Sequence, residues 1–234
     1  HEQRSESLVQ ELGATRDRHT TLSSELNQVR SGLQQMRGRR ASLEALQQAA
    51  MQDSSKAVGD WLQARQLADK SRLLDMMQVD SEWQLAVETV LGDYLQAVCV
   101  DNIGQLGDYL SSLEQGSLTL VESGAASTGS PDYLLSKVRS GGRADGLLCG
   151  VRTAPDLGDA LRQRTALAPH ESIITPEGIW MGSNWLRVAR RSEGDSGLIR
   201  RREELEALAS SLDAQQLQEA HLATELQACE DALK

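Results

Sequence analysis

Between Gly124 and Gly129 the chain shows the G-x-x-x-x-G spacing of a phosphate-cradling loop. Such a loop ends in a lysine that reaches the phosphates. Here the chain continues Ser130-Pro131, so nucleotide binding is excluded at this position. Four histidines (His1, His19, His170, His221) and three cysteines (Cys99, Cys149, Cys229) are scattered along the chain. None lies at metal-ligand spacing from another, and no C-x-x-C pair occurs. Serine, histidine and aspartate are all present, but no G-x-S-x-G elbow presents a nucleophile. The expectation is therefore a chain without catalytic residues, metal or cofactor.

The remaining chemistry belongs to arginine. Arg187, Arg190 and Arg191 precede Arg200, Arg201 and Arg202, and Arg30, Arg37, Arg39 and Arg40 form a second group, ten of the 24 basic residues in all. Guanidinium forks suit phosphate oxygens, and contacts of that kind are sequence-independent and salt-sensitive. A net charge of −10 argues against wholesale wrapping in nucleic acid, so the expectation is local, weak DNA contact. The same arginines could instead pair with the nearby Glu193, Asp195, Glu203 and Glu204.

Elements must position these groups, and the two ends of the chain supply the clearest pattern. Leu8, Leu12, Thr15, His19, Leu22, Leu26, Val29, Leu33 and Met36 recur at alternating steps of four and three, the seam of a coiled coil. Leu198, Arg201, Leu205, Leu208, Leu212, Gln215, Glu219, Leu222, Leu226, Cys229 and Leu233 do the same at the far end. Neither arm contains proline. Two arms flanking one insert can pair with each other only if the chain reverses, so an antiparallel, intramolecular pairing is predicted. Setting polar layer against polar layer, His19 on Gln215 and Thr15 on Glu219, pairs Met36 with Leu198, Val29 with Leu205, Leu22 with Leu212 and Leu8 with Leu226. The repeats reach both chain ends without a stop signal and no initiator Met is present, so the arms are expected to continue in a longer protein.

Between the arms, glycine, proline and tryptophan appear and the period changes. A helix Glu82 to Leu91 ended by Gly92, a strand Gln96 to Val100, a helix Ile103 to Leu113 and a strand Ser117 to Glu122 are predicted. After the loop from Ser123 to Pro131 follow a helix to Arg139, a strand Gly146 to Val151, a helix Pro155 to Arg164, and strands Ser172 to Thr175 and Ile179 to Met181. CVDNIGQLGDYL from Cys99 and CGVRTAPDLGDAL from Cys149 echo each other, which suggests two related αβ subdomains, about 53–123 and 131–195. The organisation predicted is an arm over 1–52, an insert over 53–195 and an arm over 196–234. No apolar run approaches the roughly 20 residues that cross a bilayer, and sparse, unpaired cysteines suit a reducing cytosol.

The run LLDMMQVDSEWQLAVETVLGDYLQAVCVD resembles the opening of the hinge domain in the structural maintenance of chromosomes (SMC) family, its bacterial members in particular. Val79, Asp80, Trp83, Ala86, Val87, Glu88, Leu91, Gly92, Leu95, Gln96, Val98 and Val100 match that pattern. IITPEG, from Ile173 to Gly178, resembles the family's later strand and turn, and LIRRREELEAL resembles the return into the coiled coil. The chain departs from the family where a Gly-Gly pair is usual: GIWMGSNWLRVARR keeps Gly178 and Gly182 but places Ser183, Asn184 and Trp185 after them.

The resemblance implies an α+β hinge that forms a homodimer, with Gly178 and Gly182 at the interface and Trp180 and Trp185 either anchoring it or packed in the core. It also implies nucleoid-associated cytoplasmic protein, DNA contact at the hinge and coil junction through Arg37, Arg39, Arg40, Arg187, Arg190, Arg191, Arg200, Arg201 and Arg202, and distant ATPase heads that bind kleisin-type subunits. A purely mechanical coiled-coil tether, or a small-molecule-binding αβ domain with helical extensions, stand as alternatives.

Overall fold

Heptad leucines without proline make a helix that no residue interrupts, and the first element, α1 (Glu2–Met51), runs 50 residues. It is followed by α2 (Lys56–Ala64), β1 (Gln78–Val79), α3 (Gln84–Leu91), β2 (Val98–Val100), α4 (Gly107–Leu110), β3 (Leu120–Glu122) and β4 (Val138–Arg139). Then come α5 (Asp145–Leu148), β5 (Val151–Thr153), α6 (Leu157–Gln163), β6 (Ser172–Ile174), β7 (Ile179–Met181), β8 (Leu186–Val188) and α7 (Leu198–Ala232). The structure, a computed structural model, describes residues 2–51, 56–122, 124, 129–190 and 197–233. None of the described helices is long and apolar enough to cross a membrane. The chain divides into two compact units, residues 1–48 with 203–234, and residues 49–202.

In the first unit α1 and α7 pair antiparallel. Leu22, Leu26, Leu222 and Cys229 are buried together, with Val29, Ala223 and Leu226 packed against them. The pairing differs from the register predicted by roughly three helical turns. Arg30 meets Glu219 at 2.8 Å, Arg39 meets Glu204 at 2.7 Å and Arg18 meets Glu225 at 3.8 Å. The polar seam residues meet other partners than the register predicted. His19 faces Glu230 at 3.5 Å, and the Cys229 thiol donates to the Thr15 carbonyl at 3.3 Å. Gln215 fills the notch left by Gly32, its Oε1 3.1 Å from where a Cβ would stand. His19, Thr15 and Glu219 thus each meet a polar partner on the facing helix, while Gln215 Oε1 is buried without a hydrogen-bond partner among the described residues. Leu8 and Leu12 are exposed, because this register sets their opposite positions at or past the last turn of α7. Leu205 and Leu208 are half-buried, while Leu33 and Leu212 are buried.

Among the described residues the second unit holds three sheets. β2 pairs in parallel with β3, and β5 pairs in parallel with β6. The latter pair continues antiparallel through β7 to β8, giving a four-stranded sheet in the order β5-β6-β7-β8. β1 and β4 form a short antiparallel ribbon, Gln78 opposite Arg139 and Val79 opposite Val138. One shared core, including Leu73, Leu91, Leu134, Leu148 and Ile199, joins both halves. Smaller clusters lie around Trp61 and Val98 in the first half and around Ile173 and Met181 in the second.

Helix α3 ends where Gly92 (φ +49) stops it, as its sequence predicts, and the Gly92 amide donates to the Glu88 carbonyl. Other elements shift. The helix expected from Pro131 to Arg139 is a 3-10 turn, Leu134–Lys137, followed by β4. The strand expected from Gly146 to Val151 begins instead as α5, because Ser140 Oγ accepts the Ala144 amide at 3.1 Å and starts a helical turn. Leu198, expected in the seam of the arms, packs against the shared core of the second unit.

Candidate functional site: an uncovered sheet edge

The turn between β6 and β7 is built by Thr175, whose carbonyl accepts the Gly178 amide at 3.1 Å and whose amide donates to the Ile179 carbonyl at 3.0 Å. Gly178 sits at φ +77, and a Cβ there would press on the Ala189 carbonyl at 2.7 Å, so glycine is required by the backbone itself. At the other end of the hairpin a Cβ on Gly182 would run into the Trp185 indole. That indole packs edge-on against Trp180, ring centroids 5.0 Å apart at 88°. The alternatives for the two tryptophans therefore divide. Trp180 is half-buried on the core and donates its indole N–H to Ser172 Oγ at 3.0 Å, whereas Trp185 is 42% exposed.

Strand β8 carries the feature that the sequence reading missed. Its alternation Leu186-Arg187-Val188 is a strand signal, but the arginine-rich surroundings drew attention to phosphate contact instead. Across the ladder Val188 lies opposite Ile179 and Leu186 opposite Met181. Ile179 and Met181 are buried at 5% and 0% exposure, while their partners Val188 and Leu186, on the same face, are 50% and 54% exposed. The apolar face of the sheet thus runs past its own core. The backbone is also open there. The Ala189 amide donates to the Gly178 carbonyl at 2.8 Å and the Gly182 amide to the Trp185 carbonyl at 3.0 Å. Alternation along an antiparallel ladder then turns the Leu186 and Val188 amides outward. Such an edge is a template for another strand. Among the described residues β3, paired only with β2, ends its sheet in the same way.

The arginines nominated for phosphate contact differ in what they bind within the chain. Arg202 is buried at 9% exposure and donates to the Asp75 carbonyl at 3.2 Å, which removes it from any phosphate-facing set. Arg39 is paired with Glu204 at 2.7 Å, one of the carboxylates named as an alternative partner, and Arg40 is paired at 2.7 Å with Glu44, one turn further along α1. Arg201 Nε donates to the Gly197 carbonyl at 3.0 Å and Arg190 to the Glu177 carbonyl at 3.0 Å. Arg37, Arg187 and Arg200 are exposed and make no ion pair among the described residues. Arg191, Glu193 and Asp195 lie outside the described residues.

Two polar clusters complete the second unit. Glu171 accepts the Tyr133 hydroxyl at 2.6 Å, the Ala168 amide at 3.0 Å and Arg152 Nε at 3.0 Å. The Tyr133 bond first, then the Ala168 amide, hold its carboxyl well below the usual range, at about 2. Arg65 stacks on Trp61 at 4.1 Å and donates to Ser112 Oγ at 2.6 Å beside an open groove lined by Ala64, Gln66, Leu106 and Tyr109. Cys99 is half-buried, and burial pushes its thiol up, away from the reactive thiolate.

Comparison with known proteins agrees with this architecture. Residues 67–162 match the SMC proteins' flexible hinge domain. The chain is 38% identical over 208 residues to the chromosome partition protein Smc of Methylococcus capsulatus, covering 86% of this chain and 18% of that protein. It is 36% identical over 180 residues to the protein of the same name from Coxiella burnetii, covering 75% of this chain and 15% of that one. The chain therefore spans less than a fifth of the length of these curated relatives. Among solved structures, an asymmetric dimer of the Geobacillus stearothermophilus SMC hinge domain superposes with a TM-score of 0.63 at 22% identity, covering 94% of this chain and 98% of that one. At that identity the likeness is one of fold.

Proposed function

The chain carries the flexible hinge domain of the SMC proteins, and from that premise we propose that it dimerises through the uncovered edge of β8. The observation that carries the reading is the exposed apolar pair Leu186 and Val188, continuing the face of buried Ile179 and Met181 on a strand with outward amides. A second copy is the occupant. Adding its β3 edge to β8, and the reverse contact by symmetry, closes both open edges in one two-fold assembly. Each chain's arms stay paired antiparallel with each other, and the whole serves a chromosome-partition ATPase whose nucleotide-hydrolysing heads, with their kleisin-type partners, lie outside these 234 residues.

The test is sedimentation of the chain beside a variant carrying Leu186→Glu and Val188→Lys. The chain runs as a dimer at tens of micromolar and the variant as a folded monomer. A variant that stays dimeric places the interface elsewhere.

Weak, sequence-independent DNA contact completes the proposal, and exposed Arg37, Arg187 and Arg200 support it. Binding falls steeply with salt, and each of these arginines changed to alanine lowers the log–log slope by roughly 0.9 on duplex DNA. An unchanged slope would leave a tether without DNA contact.

A further inference from the structure

The first amides of a helix have no partners within it, and those of α7 need acceptors from elsewhere. One comes from α3, 111 residues away in sequence: the Ile199 amide donates to Glu88 Oε1 at 2.9 Å. The approach is tight, since a Cβ on Gly197 (φ +67) would stand 2.5 Å from Glu88 Oε2. A carboxylate here also meets the positive end of the helix dipole, which makes the bond charge-assisted. Ile199 itself is fully buried in the shared core. Three residues before Glu88, on the same face of α3, Leu85 approaches the β7–β8 hairpin: a Cβ on Gly178 would lie 3.1 Å from Leu85 Cγ and 2.7 Å from the Ala189 carbonyl. One turn of α3 therefore touches both the hairpin that ends in β8 and the root of α7.

We propose that Glu88 is a positioning residue through which α3 couples the β7–β8 hairpin to the root of the return helix. The cap stands on its own geometry, and the coupling rests on the reading of β8 as the dimer edge. A change at that edge shifts Gly178 against Leu85, tilts α3, and alters how firmly Glu88 holds the Ile199 amide. The root of α7 is thus the place where docking on β8 is felt.

Amide hydrogen exchange on the whole chain tests both parts, with sedimentation run alongside. Glu88→Ala speeds exchange at Ile199 about tenfold or more, and Glu88→Gln, which keeps an acceptor without the charge, restores part of the protection. Exchange at Ile173 and Ile174 stays unchanged in both. Gly178→Ala also speeds exchange at Ile199, but adds little in the Glu88→Ala background, because the coupling path is already cut. Unchanged exchange at Ile199 in Glu88→Ala overturns the cap. An equal rise at Ile173 and Ile174 also overturns it, since Glu88 would then serve the fold at large. Independent, multiplying effects of Gly178→Ala and Glu88→Ala overturn the coupling. A monomeric chain whose Ile199 amide still depends on Glu88 overturns the dimer reading and upholds the cap.

Discussion

In the first half of the hinge, β2 and β3 are joined through Asn102, whose side chain accepts the Gln105 amide at 3.3 Å; in the second, β5 and β6 are joined through Asp156, which accepts the Asp159 amide at 2.8 Å. Both connections lead through Leu-Gly-Asp into a helix and return to a parallel strand. The helices differ. α4 keeps four residues, with Gly104 and Gly107 within or beside its turns, whereas α6 keeps seven behind a charged cap. The sheets differ as well, two strands against four, because the Thr175 to Gly178 turn adds β7 and β8 only to the second. One plan has thus been fixed more firmly in the second half, and the strand that extends it is the one left with an open apolar edge.

Acid should break the comparison most strongly, because the second half is also stapled by Glu171. Its carboxyl, held at about 2, titrates well below the roughly 4.3 of an unfolded glutamate, so the stability it adds is present above that value and lost as pH falls toward 2. The melting temperature should therefore drop between pH 5 and pH 2.5, and Glu171→Gln should melt lower at neutral pH with a smaller acid drop. Equal acid sensitivity in the variant would remove Glu171 from the account. The caps give a smaller contrast. Asp156→Ala should cost about 1 kcal/mol in urea unfolding, and Asn102→Ala only a few tenths, since its bond is longer and its helix shorter. Equal costs would mean that the two halves are stabilised alike.

The echo between the two halves was legible because a Leu-Gly-Asp run follows the strand in each, Leu106-Gly107-Asp108 after β2 and Leu157-Gly158-Asp159 after β5. Gly92 was legible as a helix stop for the same local reason. The arm register was not, since leucines repeat every heptad and several alignments bury them equally well. Arg30 with Glu219 and Arg39 with Glu204 mark the alignment adopted, and neither contact is visible until the helices are set side by side. Arg202 reads as one of three equivalent arginines, yet helical periodicity turns it into the core while Arg200 faces solvent. β8 was hidden by its own composition, three residues set among arginines. The exposure of Leu186 and Val188 is a property of the sheet edge rather than of the residues.

The central claim is that a second copy adds a strand to β8, and the outward amides of Leu186 and Val188 report on it directly. Hydrogen exchange followed at those two positions, at tens of micromolar and again after dilution below the dimer's dissociation constant, is the decisive measurement. The account predicts strong protection at the higher concentration that disappears on dilution, while Arg187, bonded inward to β7, stays protected at both. Fast exchange at Leu186 and Val188 in a chain that sediments as a dimer would contradict it.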